Sequence, residues 1–175
     1  MNINESQIQY ITGDTSLGKV LVADDLGGVC AILLGDTEEQ VRTELQRSFP
    51  GRLLLSHKTD DLKELLDKTI MKLECPRLEW DYQLHMIGTP FQVRVWQEIQ
   101  KIPPGFTRSY SEIAIAMNSP KSVRAVANAC GANRLAVMVP CHRVSRLNGN
   151  LGGYRWGTRR KHQIIELEKA MQSIV

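Results

Sequence analysis

Long hydrophobic runs are missing from these 175 residues. No stretch approaches the ~18–20 consecutive apolar residues that a membrane-spanning helix needs. The opening Met1-Asn2-Ile3-Asn4-Glu5 has neither the basic nor the apolar region of a secretory signal. Met1 suggests a complete start, with a piece cut from a longer regulator as the alternative, and the expected location is the cytoplasm, or the nucleus in a eukaryote. Paired cysteines are missing as well. Cys30, Cys75, Cys130 and Cys141 form no C-x-x-C, and His57, His85, His142 and His162 lie at no zinc-finger spacing from a cysteine pair. A sequence-local structural zinc site is excluded, and a disulfide framework is not expected in a reducing compartment. With 42% hydrophobic and 23% charged residues, the chain is neither fibrous nor largely disordered.

The net charge of +3 conceals a division. Residues 1–87 carry 9 Lys/Arg and 15 Asp/Glu, a net of −6. Residues 88–175 carry 13 Lys/Arg and 4 Asp/Glu, a net of +9. Such a split favours a polyanion-binding second half beside a solubilising first half; the alternative is uneven surface charge with no partner.

In the first half, two β-branched-rich runs, 19–23 and 29–34, flank the turn residues Asp24-Asp25-Leu26-Gly27-Gly28 and predict a hairpin. Thr37 to Phe49 is expected to be helical and to end at Pro50-Gly51. Asp60 to Leu73 places Leu62, Leu65, Leu66, Thr69 and Leu73 along one helical face. Leu78 to Leu84 reads as a further strand. No catalytic motif appears here, so residues 1–87 read as an α/β domain.

Residues 88–175 read as a second, mainly α domain. Thr89-Pro90-Phe91-Gln92 and Ser109-Tyr110-Ser111-Glu112 are capping boxes that open helices to about Ile102 and Met117. Ser119 and Pro120 are expected to start another helix, running through Cys130 to Gly131. Two short helices across a tight turn predict a helix-turn-helix, with an ordinary helical hairpin as the alternative. The second helix is rich in small residues and carries Arg124. Leu135 to Val139 has the length and composition of a strand. Thr158 opens a last helix to about Ser173.

The candidate chemistry lies at Pro140-Cys141-His142. The proline gives a rigid mount for the cysteine beside it. Nucleophilic chemistry needs a thiolate, hence a base or relay to hold the proton. His142 is adjacent but not assured of direct contact, and a bridging water would connect the two. Glu168 falls on or beside the apolar stripe of the last helix, with Ile164 and Ile165. A carboxylate there needs a partner, and orienting an imidazole is one use for it. From spacing alone, Glu168 also suits a boundary residue paired with a surface cation, and Cys141 an inert core residue.

Several motifs in order settle the reading by resemblance. Pro140-Cys141-His142-Arg143-Val144 resembles the active-site motif of the O6-alkylguanine-DNA alkyltransferases. Gly88-Thr89-Pro90-Phe91-Gln92 with Val95-Trp96, then Ile102-Pro103 with Gly105, Ser109-Tyr110 and Ala114, resemble that family's preceding segments. Pro120-Lys121 with Arg124-Ala125-Val126 and Asn133 resembles its recognition helix and hinge. Gly153-Tyr154-Arg155-Trp156-Gly157 resembles its loop past the active site, above all in bacterial members. The strong likeness covers about residues 88–168.

The resemblance implies a ribonuclease-H-like α/β domain followed by a helix-turn-helix domain. It implies direct, single-turnover repair of O6-alkylguanine, and by the same chemistry O4-methylthymine, in double-stranded DNA. Cys141 would accept the alkyl group, with His142, a water and Glu168 forming the thiolate-generating relay. Tyr110 would protonate the departing guanine and press on a phosphate, and Asn133 would brace the hinge. Arg124 would fill the gap left by the extruded base, with Lys121, Ser122, Ala125, Ala129 and Arg134 along the DNA surface of a minor-groove helix. Val139, Pro140, Tyr154, Arg155 and Trp156 would form the substrate pocket, the indole of Trp156 narrowing it. No metal, no small-molecule cofactor and no membrane is implied, and the protein is expected to act as a monomer. The rival readings are a non-catalytic binder of alkylated DNA, a helix-turn-helix regulator and a cysteine hydrolase.

Overall fold

The computed structural model describes residues 7–172 and divides into two units. The first runs to Glu74 and takes up Leu78–Met86; the second holds Cys75–Arg77 and the chain from Ile87 onward. Among the described residues, no helix is long and apolar enough to cross a membrane.

The first unit is built on β1 (Gln7–Thr15), β2 (Gly18–Asp25), β3 (Gly28–Gly35) and β4 (Leu53–Ser56). The sheet order is β3-β2-β1-β4, with β4 parallel to β1 and the other pairs antiparallel. The expected hairpin is β2–β3. Val20, Leu21, Val22 and Ala23 are all fully buried. Both faces of β2 are therefore covered, and its sequence is a continuous apolar run instead of an alternating one. Helix α1 (Glu38–Ser48) packs on β2 and β3, and α2 (Asp60–Glu74) on β1 and β2. Thr37 caps α1 by accepting from the Gln40 amide.

The β2–β3 turn is organised by one nearly buried carboxylate. Asp25 accepts hydrogen bonds from the Gly27 amide at 2.9 Å and Arg52 at 3.0 Å, and pairs with His85 Nδ1 at 2.7 Å. Gly28, at φ +113°, is required: a Cβ there would stand 2.5 Å from the Gln83 carbonyl oxygen. That close approach lets Val29 exchange backbone hydrogen bonds with Gln83 and His85 at 2.9 Å each. The strand expected over Leu78 to Leu84 is consequently reduced to a single bridge, Val29 to Leu84.

The second unit contains α3 (Pro90–Gln100), β5 (Arg108–Ser109), α4 (Tyr110–Ala116), α5 (Val123–Ala132), β6 (Val144–Ser145) and α6 (Thr158–Gln172). Both capping boxes form in full, at Thr89/Gln92 and Ser109/Glu112. Helix α3 packs on α5, and Trp96 Nε1 donates to the Ala129 carbonyl at 2.8 Å. The two-residue strands β5 and β6 pair in parallel. The Ser173 end expected for the last helix lies outside the described residues.

Two expectations fail here for local reasons. The Ser119 side chain makes no cap, and Pro120–Ser122 forms a separate 3₁₀ turn before α5, which runs past Gly131 to Ala132. The strand expected at Leu135 to Val139 is a buried turn. Its Met138 amide donates to the Ala136 carbonyl and its Val139 amide to the Leu135 carbonyl. Val137 sits at φ +66°, which a β-branched residue adopts only when its surroundings impose it. Asn133 imposes it, as described below.

Thr89→Ala removes the side-chain half of an intact capping box and is expected to lower stability by about 1 kcal/mol. Urea denaturation followed by far-UV circular dichroism checks this.

Candidate active site

The Asn133 side chain sits at the C-terminal end of α5 and works as a template for the turn after it. Its Oδ1 accepts from the Leu135 amide at 2.8 Å. Its Nδ2 donates to the Val139 carbonyl at 2.9 Å and to Cys141 Sγ at 3.2 Å. One buried carboxamide therefore closes the turn and touches the sulfur that the turn delivers. Cys141 opens a 3₁₀ turn, Cys141–Arg143, and is 3% exposed.

Glu168 reaches the same turn from α6 and is 1% exposed. Its Oε1 lies 2.9 Å from His142 Nε2. Arg143 grips the carboxylate with Nε at 3.1 and 3.2 Å and Nη2 at 2.7 Å, while its Nη1 donates to the Ile102 carbonyl at 2.6 Å. The Gly105 amide adds a hydrogen bond to Oε2 at 2.9 Å. Burial alone raises the Glu168 pKa, but the hydrogen bonds and charges of His142 and Arg143 outweigh it and hold the carboxyl down at about 2. Glu168 is therefore an ionised acceptor, which puts the His142 proton on Nε2. Burial pushes the His142 pKa below its ordinary value, against the pull of Glu168, so the ring is neutral. Its Nδ1 is buried and finds no hydrogen-bond partner among the described residues, which leaves a basic lone pair next in sequence to the thiol.

Burial likewise raises the Cys141 pKa; the Asn133 hydrogen bond and the charges of Lys161 and Arg155 oppose this. At rest the sulfur is a thiol, and it needs a proton acceptor to become a nucleophile. An imidazole oriented by a carboxylate is such an acceptor.

Cys141 opens onto a cavity of about 490 Å³ lined by Tyr110, Asn128, Cys130, Arg146, Tyr154 and Arg155, among others. Burial raises the Tyr110 pKa, so its hydroxyl keeps a proton to donate. The Tyr154 ring meets His142 edge-on, with centroids 6.4 Å apart, and Trp156 at 5.2 Å. Among the described residues, no group of three or more His, Cys, Asp or Glu is placed to hold a metal ion.

Residues 90–170 match the family model described as 6-O-methylguanine DNA methyltransferase, DNA binding domain. The Candida albicans methylated-DNA–protein-cysteine methyltransferase is 38% identical over 173 residues, covering 93% of this chain and 97% of that one. The chain belongs to the methylated-DNA–protein-cysteine methyltransferase family. It is also 42% identical over 167 residues to the Escherichia coli bifunctional transcriptional activator/DNA repair enzyme Ada, covering 92% of this chain and 45% of Ada. The chain thus spans about half the length of the Ada relatives it matches. The crystal structure of Mycobacterium tuberculosis OGT in complex with DNA aligns at a TM-score of 0.76 and 31% identity, over 93% of each chain.

For this methyltransferase-family chain, the expected residues divide by position. Asn133 is hydrogen-bonded to Cys141 and Glu168 to His142, the two pairs meeting where Cys141 and His142 adjoin in one turn, and Tyr110, Tyr154 and Arg155 line the cavity. Lys121, Arg124 and Ala125 are exposed along one side of α5 and the turn before it, and Ser122 is half-buried. Ala129 is not on that side: it is buried, with its carbonyl taken by Trp96. Arg134 is half-buried and donates to the Ile87 carbonyl at 2.8 Å. Val139, Pro140 and Trp156 are buried and are not among the cavity-lining residues. Trp156 therefore bears on the cavity through Tyr154, its edge-on neighbour, instead of walling it directly.

Sequence reasoning missed three participants. Arg143 was in view within the motif but had no role. Lys161 is fully buried and donates to the Val144 carbonyl at 2.7 Å and to the carbonyls of Leu151 and Gly153. The signal was a lysine seven residues before Glu168, on the same stripe as Ile164. Cys130 lines the cavity beside Cys141, its thiol pushed well above the ordinary range by burial.

Because the folded Glu168 pKa is depressed, its contribution to stability is complete above about 4.5 and is lost as pH falls toward about 2. Glu168→Gln is expected to cost roughly 3–5 kcal/mol near neutrality by leaving Arg143 buried and unpaired. It should also flatten the stability profile across that acid window, as read by denaturant titration at a series of pH values.

Proposed function

We propose that this chain repairs O6-alkylguanine in duplex DNA, and O4-methylthymine by the same chemistry, by taking the alkyl group onto Cys141. The observation that carries the reading is the Glu168–His142 hydrogen bond in the turn that also holds Cys141, with the sulfur opening onto a base-sized cavity. Neutral His142 accepts the Cys141 proton through a water, and Glu168 and Arg143 hold the ring in the tautomer that permits this. The thiolate attacks the alkyl carbon, and the carbon–O6 bond breaks with its electron pair moving onto guanine. Tyr110 supplies the proton that neutralises the departing base. The product is a thioether with no acyl carbon for water to attack, so each chain acts once.

The target nucleotide must leave the stack to reach a sulfur this deeply placed. The α4–turn–α5 pair acts as a helix-turn-helix, and the small residues of α5 suit close approach to the narrow minor groove. Arg124, exposed on α5, fills the vacated position, while Lys121, Ser122, Ala125 and Arg134 support the contact with the duplex. The sheet order β3-β2-β1-β4, with a parallel fourth strand, supports a ribonuclease-H-like reading of residues 1–87. The protein acts as a monomer, without metal or small-molecule cofactor, in the cytoplasm or nucleus.

Incubation with duplex DNA containing O6-methylguanine is expected to add one methyl per chain at Cys141, seen by intact mass and peptide mapping. Cys141→Ala gains none. A chain that turns over many substrates, or gains no mass, overturns the reading. Arg124→Ala is expected to slow transfer from duplex DNA far more than transfer from the free base. Equal slowing on both removes its role in extrusion.

A further inference from the structure

Arg146 lines the cavity yet takes no part in the cluster around Cys141. Its backbone is pinned: its amide donates to the Asn150 carbonyl at 2.8 Å, and its carbonyl accepts from the Gly149 amide at 3.0 Å. Its side chain is exposed, and among the described residues no carboxylate pairs with it. The neighbouring Arg155, by contrast, donates to the Gly131 carbonyl at 3.1 Å.

Arg146 and Tyr110 converge on one point. A Cβ placed on Gly152 would lie 3.5 Å from Tyr110 Oη and 3.8 Å from Arg146 Nε. Gly152 is at φ +65° and has no side chain to occupy the space. A guanidinium this close to the phenol that meets the base stands where the phosphate of the same nucleotide would lie, within reach of hydrogen bonds of about 2.7–3.2 Å. Cys141 is nearly sealed, whereas Arg146 is exposed at the rim. A base pushed in far enough to meet the sulfur leaves its sugar and phosphate at that rim.

We propose that Arg146 holds a backbone phosphate of the extruded nucleotide while the neighbouring Tyr110 hydroxyl stays on the base, and so positions the alkylated base against Cys141. The inference rests on the DNA-repair reading above. Arg146 touches the phosphate, not the reacting atoms, and it favours duplex DNA over the free base as substrate. Guanidinium is suited to the task because its planar fork matches a phosphate with two parallel hydrogen bonds and keeps its charge at every working pH.

The test combines protein and DNA substitutions. Transfer rates are measured on O6-methylguanine duplexes carrying a single neutral methylphosphonate at each phosphate flanking the lesion. In the unmodified protein, one position is expected to slow transfer roughly ten- to hundredfold, the loss of a charge-assisted hydrogen bond. Arg146→Gln should slow transfer from the all-phosphate duplex by a similar factor, and the methylphosphonate at that position should then add nothing. Its effect on transfer from free O6-methylguanine should be at least ten times smaller, an order of magnitude set by the same lost bond. Binding of the Cys141→Ala chain to the O6-methylguanine duplex provides a separate readout: adding Arg146→Gln should lower the slope of log affinity against log salt by about 1. This slope does not need alkyl transfer, so it distinguishes failure of the phosphate contact from failure of the repair reading. Additive effects of Arg146→Gln and every methylphosphonate, an unchanged salt slope, or equal slowing on duplex and free base would each overturn the proposal.

Discussion

A single buried carboxylate organises the reactive half of this protein. Glu168 is shared between a neutral imidazole and a guanidinium, and neither is dispensable to the other. Burial, helped by the Arg143 charge, keeps His142 neutral against the pull of Glu168, the form that can take a proton from Cys141. Without His142 the carboxylate would form a plain ion pair with no connection to the sulfur. Three residues in a row, Cys141, His142 and Arg143, occupy one 3₁₀ turn, so a single turn of backbone sets sulfur, base and counter-cation at once. The desolvation cost of burying Glu168 and Arg143 is offset by five hydrogen bonds to the carboxylate, donated by His142, Arg143 and the Gly105 amide.

The charge division along the chain acquires a structural meaning here. The carboxylate of Glu168 is spent on His142 and Arg143. Among the described residues, those lining the cavity include Arg146 and Arg155 and no carboxylate. A site arranged this way presents positive potential outward while keeping its negative charge internal, which suits a polyanionic partner.

What could be read from the residue order depended on how local the deciding interaction was. Capping boxes are settled within four residues, and Thr89/Gln92 and Ser109/Glu112 form as expected. The β2–β3 hairpin is settled by its turn. Leu135 to Val139 misled because an apolar, β-branched run has strand composition, whereas its conformation is dictated by the side chain of Asn133. Strand β1 went unread because its Gln, Thr, Gly and Asp residues dilute the alternation, and β4 because four residues after a Pro-Gly turn carry little pattern. Glu168 was legible as a residue in need of a partner; which partner is a tertiary fact. Lys161 was hidden by its type, since a lysine on an apolar stripe ordinarily reaches for solvent.

Lys161 grips carbonyls from two places: Val144, directly after the Cys141–Arg143 turn, and Leu151 and Gly153 in the loop whose glycines and Tyr154 line the cavity. The ammonium is thus a rivet between the floor and one wall of the chamber. A movement of that wall therefore pulls on the segment next to the sulfur as well. The wall that faces the cavity is held by a side chain that is not among the described residues lining it.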